Sequence, residues 1–105
     1  MNGGEFTIDV GGEGTARTVK LGGECDISSA PQLREVLRPL VPPDVTQLTV
    51  DVSGLDFIDS TGLGVIVGAL RRLREAGGDL TMSGAQGAVR RVLEVTRLDK
   101  AIPLV

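Results

Sequence analysis

The sequence predicts a small α/β domain: a mostly parallel sheet opened by an antiparallel hairpin, with elements ordered β-β-α-β-α-β-α-β. Three observations predict it. Apolar and polar residues alternate over 6–10, 17–21 and 48–52, the period of half-buried strands. The period lengthens to helical spacing over 33–40, 63–73 and 89–93. Finally, 105 residues, 41% of them hydrophobic, are enough for one core and not two, so a single domain over 1–105 is expected.

Each element has its own signal. Phe6, Ile8 and Val10 alternate with Thr7 and Asp9, and Gly11-Gly12-Glu13-Gly14 reads as the hairpin turn. Arg17, Val19 and Leu21 resume the alternation, with Gly22-Gly23 marking a bulge or a close backbone approach before the strand ends near Asp26. Ser29-Ala30-Pro31-Gln32 has the form of a capping box, and Leu33, Val36, Leu37 and Leu40 follow at helical spacing up to Pro42-Pro43, a helix of about three turns. Leu48, Val50 and Val52 mark the next strand, with Ser53-Gly54 loosening the chain before Leu55-Asp56-Phe57-Ile58. Leu63, Ile66, Val67, Leu70 and Leu73 share one helical stripe that stops at Gly77-Gly78. Leu80 and Met82 make a short strand, Val89, Val92 and Leu93 a last helix, and residues 102–104 a final strand. Strands joined through helices are normally parallel with right-handed crossovers, which gives the sheet its direction.

Composition removes several kinds of chemistry. There is no histidine, so imidazole bases, imidazole metal ligands and Ser-His-Asp triads are excluded from this chain acting alone. A net charge of −3 and an aromatic content of 2% disfavour nucleic-acid binding, and Arg71, Arg72 and Arg74 read as a solvated helix face. The one cysteine, Cys25, forms neither an internal disulfide nor a thiolate metal site and fits a reducing cytoplasm. Residues 1–10 carry Glu5 and Asp9 without the basic-then-apolar order of a signal peptide, and no apolar run reaches the ~20 residues of a membrane span, so no membrane insertion is expected. No glycine-rich loop ends in the Lys-Ser or Lys-Thr of a phosphate-binding loop, and no cofactor or metal is expected.

In open α/β sheets functional groups gather beyond the carboxyl ends of the strands, here residues 26–29, 56–64 and 83–84. Asp59-Ser60-Thr61-Gly62-Leu63-Gly64 joins a strand exit to a helix, which places a hydroxyl over unpaired backbone N–H groups and the positive end of the helix dipole. On spacing alone, simple capping by Asp59 or Ser60 is the better account of the polar pair. Gly62 and Gly64 do not fit that account: each costs about 1 kcal/mol in a helix relative to alanine unless something must approach closely. Asp26 is expected beside Asp59. A nucleophilic serine enzyme is disfavoured, because Ile58-Asp59-Ser60-Thr61-Gly62 lacks the first glycine of a nucleophile elbow and no histidine is present to activate the hydroxyl.

Gly23-Glu24-Cys25-Asp26-Ile27-Ser28-Ser29-Ala30-Pro31-Gln32-Leu33 and Val50-Asp51-Val52-Ser53-Gly54-Leu55-Asp56-Phe57-Ile58-Asp59-Ser60-Thr61-Gly62-Leu63-Gly64 closely resemble the bacterial STAS-domain anti-sigma-factor antagonists, over nearly the whole chain. The resemblance implies a STAS-like mixed sheet with helices and a partner-switching regulator rather than an enzyme. The unphosphorylated form would bind an anti-sigma factor with serine kinase activity and free a sigma factor. Phosphorylation would fall on Ser60, and a PP2C-type phosphatase would reverse it. Carried over by position, Asp26 and Ser29 border the phosphoacceptor, Asp59 precedes it, and Thr61, Gly62 and Leu63 complete the partner-binding set, with Thr61 a weaker rival acceptor. Cys25 departs from the family, where leucine is commoner. Residues 1–58 carry 4 basic and 9 acidic side chains and residues 59–105 carry 7 and 5, which suits an acidic patch at the first strand ends meeting a basic partner surface, although scattered solvated charge accounts for the sums almost as well. The alternative is a STAS scaffold that is never phosphorylated, within a signalling complex or a lipid- or anion-transport machine.

Overall fold

Gly14, at φ 59°, supplies the positive φ that opens the two-residue turn Gly14-Thr15. This turn joins β1 (Thr7–Glu13) to β2 (Ala16–Cys25). The turn is shorter than the glycine run suggests, because Gly12, at φ 89°, stays paired with Arg17 and only Gly14-Thr15 leave the ladder. The computed structural model describes residues 5–105, so the first four residues of the stretch read against a leader lie outside the described part. The remaining elements are α1 (Ala30–Leu37), β3 (Gln47–Ile58), α2 (Ser60–Glu75), β4 (Asp79–Ser83), α3 (Gly87–Val95) and a 3-10 turn over Leu98–Lys100.

The sheet runs β1-β2-β3-β4, antiparallel between β1 and β2 and parallel beyond. Two register shifts between β2 and β3, at Lys20/Gly22 and Gly23/Glu24, flank the glycine pair, but the bulge expected in β2 lies on its partner strand. Both extra residues belong to β3, which therefore runs unbroken through Ser53-Gly54. Val19, Leu21 and Cys25 from β2, Leu48, Val50, Val52, Leu55 and Ile58 from β3, and Leu80 and Met82 from β4 all face one core. Burial of each large aliphatic contributes about 1.5–3 kcal/mol. Helices α1 and α2 pack together, and α3 adds Val89 and Leu93. Thr18, Lys20, Thr49, Asp51, Thr81 and Ser83 alternate with the buried set and occupy the other, solvated face. No described residue with a polar side chain is fully buried, and no helix is long and apolar enough to cross a membrane.

Three expectations are corrected. The capping box does not form: Ser29 sits at φ −100°, ψ −17°, a helical conformation rather than the extended one an N-cap side chain needs, and its hydroxyl turns back to accept from the Asp26 N–H at 2.8 Å. Helix α1 spans 8 residues, about two turns, because Pro39 stops it well before Pro42-Pro43. The final strand shrinks to a single bridge between Leu104 and Met82, since Pro103 has no N–H to extend a ladder.

Helix α3 ends in Thr96, followed by Arg97 in the left-handed region at φ 63°. Glycine is the residue suited to that position. Replacing Arg97 with Gly should therefore raise stability by about 0.5–1 kcal/mol, read as a higher urea midpoint at unchanged m-value.

Candidate functional site

The carboxyl ends of β2 and β3 are tied together where the chain leaves them: the Asp59 N–H donates to the Cys25 carbonyl at 3.0 Å. Asp59 is extended, at φ −104°, ψ −176°, and its Oδ1 accepts from the N–H groups of Thr61 (3.0 Å) and Gly62 (3.1 Å). Asp59 is thus the cap of α2, and Ser60 is the first helical residue. Ser60 is exposed, and among the described residues no hydrogen bond engages its hydroxyl. The two roles left open by the sequence are divided between neighbours.

The β2–α1 connection is held by a second carboxylate. Asp26 Oδ1 accepts from the Ser28 N–H (3.0 Å), the Ser28 hydroxyl (2.7 Å), the Ser29 N–H (3.2 Å) and the Ser29 hydroxyl (3.3 Å). The Ser29 hydroxyl also lies 3.2 Å from the Glu24 carbonyl. The bond from the Ser28 hydroxyl, foremost, and those from backbone N–H groups hold the Asp26 carboxyl below its ordinary 3.8. Asp26 and Asp59 both act electrostatically on the buried Cys25 between them. Burial, chiefly, and then these two charges push the thiol up to about 11, against a lowering contact from Ser29, so Cys25 is a neutral packing group.

Sequence-predicted residues separate into surface and support. Ser60 is exposed, Asp26, Ser29, Asp59 and Thr61 are partly so, and Gly62 and Leu63 are buried. The last two hold the helix and offer no side-chain surface to a partner. A Cβ on Gly62 would lie 2.6 Å from Cys25 Sγ and 3.0 Å from Ile58 Cγ1, whereas one on Gly64 meets nothing within 4 Å. Gly62 is therefore a packing glycine, and Gly64 an open patch one turn beyond Ser60.

Two surface residues escaped the sequence reading. Ile27 is 74% exposed in the β2–α1 connection, and Phe57, paired with Glu24 across the β2–β3 ladder, is 40% exposed. The signal for Phe57 was its place beside a bulge, which turns it away from the buried Ile58. Glu24, Asp26, Asp56 and Asp59 also belong to these two strand ends and the connections that leave them.

A family model described as Mlab, STAS domain matches residues 8–105. The chain belongs to the STAS domain family. This STAS domain is 36% identical over 80 residues to the anti-sigma-B factor antagonist of Staphylococcus aureus, covering 76% of this chain and 74% of that one. It superposes with TM-score 0.84 and 28% identity on an anti-sigma factor antagonist from Mycobacterium paratuberculosis, covering 95% and 85% of the two chains. The Bacillus cell fate determinant SpoIIAA in its phosphorylated form shares the fold at TM-score 0.73 and 22% identity, over 96% and 91%.

Two measurements probe this geometry. Gly62→Ala should destabilise the STAS domain by about 1–3 kcal/mol, and Cys25→Ala in the same chain should recover part of the loss, as a double-mutant cycle in urea would record. A carboxyl-resolved NMR titration should place Asp26 below 3.8, and Ser28→Ala should move it upward. The stabilising contribution of a depressed carboxyl is complete above the unfolded value and fades as pH falls through the folded one. The β2–α1 connection should therefore loosen only on acidification.

Proposed function

We propose that this STAS domain is a cytoplasmic, non-enzymatic anti-sigma-factor antagonist whose unphosphorylated form binds an anti-sigma serine kinase and frees a sigma factor, with phosphorylation of Ser60 ending the complex and a PP2C-type phosphatase restoring it. The antagonist role is supported by the names of its relatives in Staphylococcus aureus and Mycobacterium paratuberculosis. The observation that carries the Ser60 reading is the division of labour at the start of α2: Asp59 caps the helix, leaving the neighbouring hydroxyl exposed and uncommitted.

The electrostatics suit a switch. A phosphoryl group brings about −1.5 to −2 charges, and here it would join Asp59 and Asp26 on a surface already acidic. A partner with basic residues around an apolar socket fits Ile27, Phe57 and the carboxylates of these strand ends before modification. After modification, desolvating the dianion against that socket costs more than the contact returns. The positive end of α2 meanwhile lets the free domain carry the group without unfolding.

The test is co-purification of the kinase partner from the source cell, then affinity measurement with three variants. Ser60→Ala should bind like the wild type and resist ATP-dependent release. Ser60→Asp should weaken binding at least tenfold, beyond the effect of an exposed charge change. Gly64→Ala, which has open space and better helix propensity, should fold at least as stably yet bind less tightly. If mass spectrometry finds Ser60 unmodified in an active kinase mixture, the scaffold reading replaces this one.

A further inference from the structure

One border of the sheet is closed and the other open. Along β4, the Met82 N–H donates to the Pro103 carbonyl and the Met82 carbonyl accepts from the Val105 N–H, both at 2.9 Å. Along β1, residues 9–13 are all exposed, Val10 at 44%, and among the described residues no strand pairs with its outer side. The β1–β2 register is unbroken and β1 contains no proline, so of the devices that usually blunt an edge strand only the charges of Asp9 and Glu13 are present.

The turn decides which groups point outward. With a two-residue loop, Glu13 and Ala16 form the closing hydrogen-bonded pair, and by alternation Asp9 and Gly11 bond to β2 while Ile8, Val10 and Gly12 present their N–H and C=O groups to the open border. We infer that β1 pairs antiparallel with β1 of a second copy of this chain, about a twofold axis through Val10.

Charge selects that register from those the outward groups allow. An axis at Asp9 sets this carboxylate against its own image, and an axis at Gly11 sets it against Glu13 of the second copy, like charges directly opposite in both cases. An axis at Ile8 engages only residues 7–9 of the strand, and one at Gly12 only residues 11–13. With the axis at Val10, Asp9 faces Gly11 and Thr7 faces Glu13, while the two exposed Val10 side chains cover one another on the helix-bearing side of the joined sheets. Ser60 lies beyond β3, two strands away, so both hydroxyls stay accessible and the pairing does not depend on the switch.

Sedimentation of the full chain tests this from about 10 μM to about 1 mM, the range for an interface as small as one strand pair. The wild type should form a reversible dimer. Gly11 has no neighbour within 4 Å of a built Cβ and no left-handed backbone, so Gly11→Asp and Gly11→Lys should both fold. Facing Asp9 twice across the axis, Gly11→Asp should weaken the dimer roughly tenfold and Gly11→Lys should tighten it. Val10→Pro removes an outward N–H at an edge that tolerates proline and should leave a folded monomer. A wild type that stays monomeric throughout overturns the inference and leaves the border to a strand from a different protein. Equal dissociation constants for Gly11→Asp and Gly11→Lys overturn it as well.

Discussion

Helix α2 begins where it does because residue 62 has no side chain. The space a Cβ would fill is taken by Cys25 Sγ and Ile58, so the first turn of the helix lies directly on the ends of β2 and β3. That contact sets the distance over which the Asp59 N–H meets the Cys25 carbonyl, and with it the orientation of the capping carboxylate. Ser60 inherits its exposure from this seat. A larger residue at either position would lift the helix and change what Ser60 presents to solvent.

The rest of the fold keeps polar groups away from the aliphatic core. With almost no aromatic residues, the core is built chiefly from leucine, valine and isoleucine on one face of the sheet, and no polar side chain of the described residues is sealed inside it. The carboxylates at the strand ends are held by local N–H and hydroxyl donors at the edge of that core, where water still reaches them. Electrostatic change at this end, including an added dianion, therefore bears on what docks there more than on what holds the domain together.

The sheet and its order were legible because alternation survives in short strands: Val19 and Leu21, then Leu48, Val50 and Val52, each declare an inner face. What misled was local chemistry with two solutions. Ser29 has the type and spacing of a cap, but its helical backbone and the nearby Asp26 N–H claim its hydroxyl. Four clustered residues at 11–14 look like a turn, yet a positive-φ glycine can remain in a ladder. Pro39 stops α1 before the more conspicuous proline pair. At the site, the Asp59-Ser60 pair was visible but its division of roles was not, since capping depends on one backbone angle. Phe57 was hidden because a bulge in β3 breaks the parity from which sidedness is read, and Ile27 because it lies in a turn that has no such parity.

The tie between Met82 and the C-terminal residues finishes the sheet beside β4. Pro103, which has no N–H, cannot carry this bridge back along β4 toward Leu80. The inferred twofold union would engage the outward groups of β1 with their own images, and a contact of that symmetry closes on itself as a pair instead of propagating.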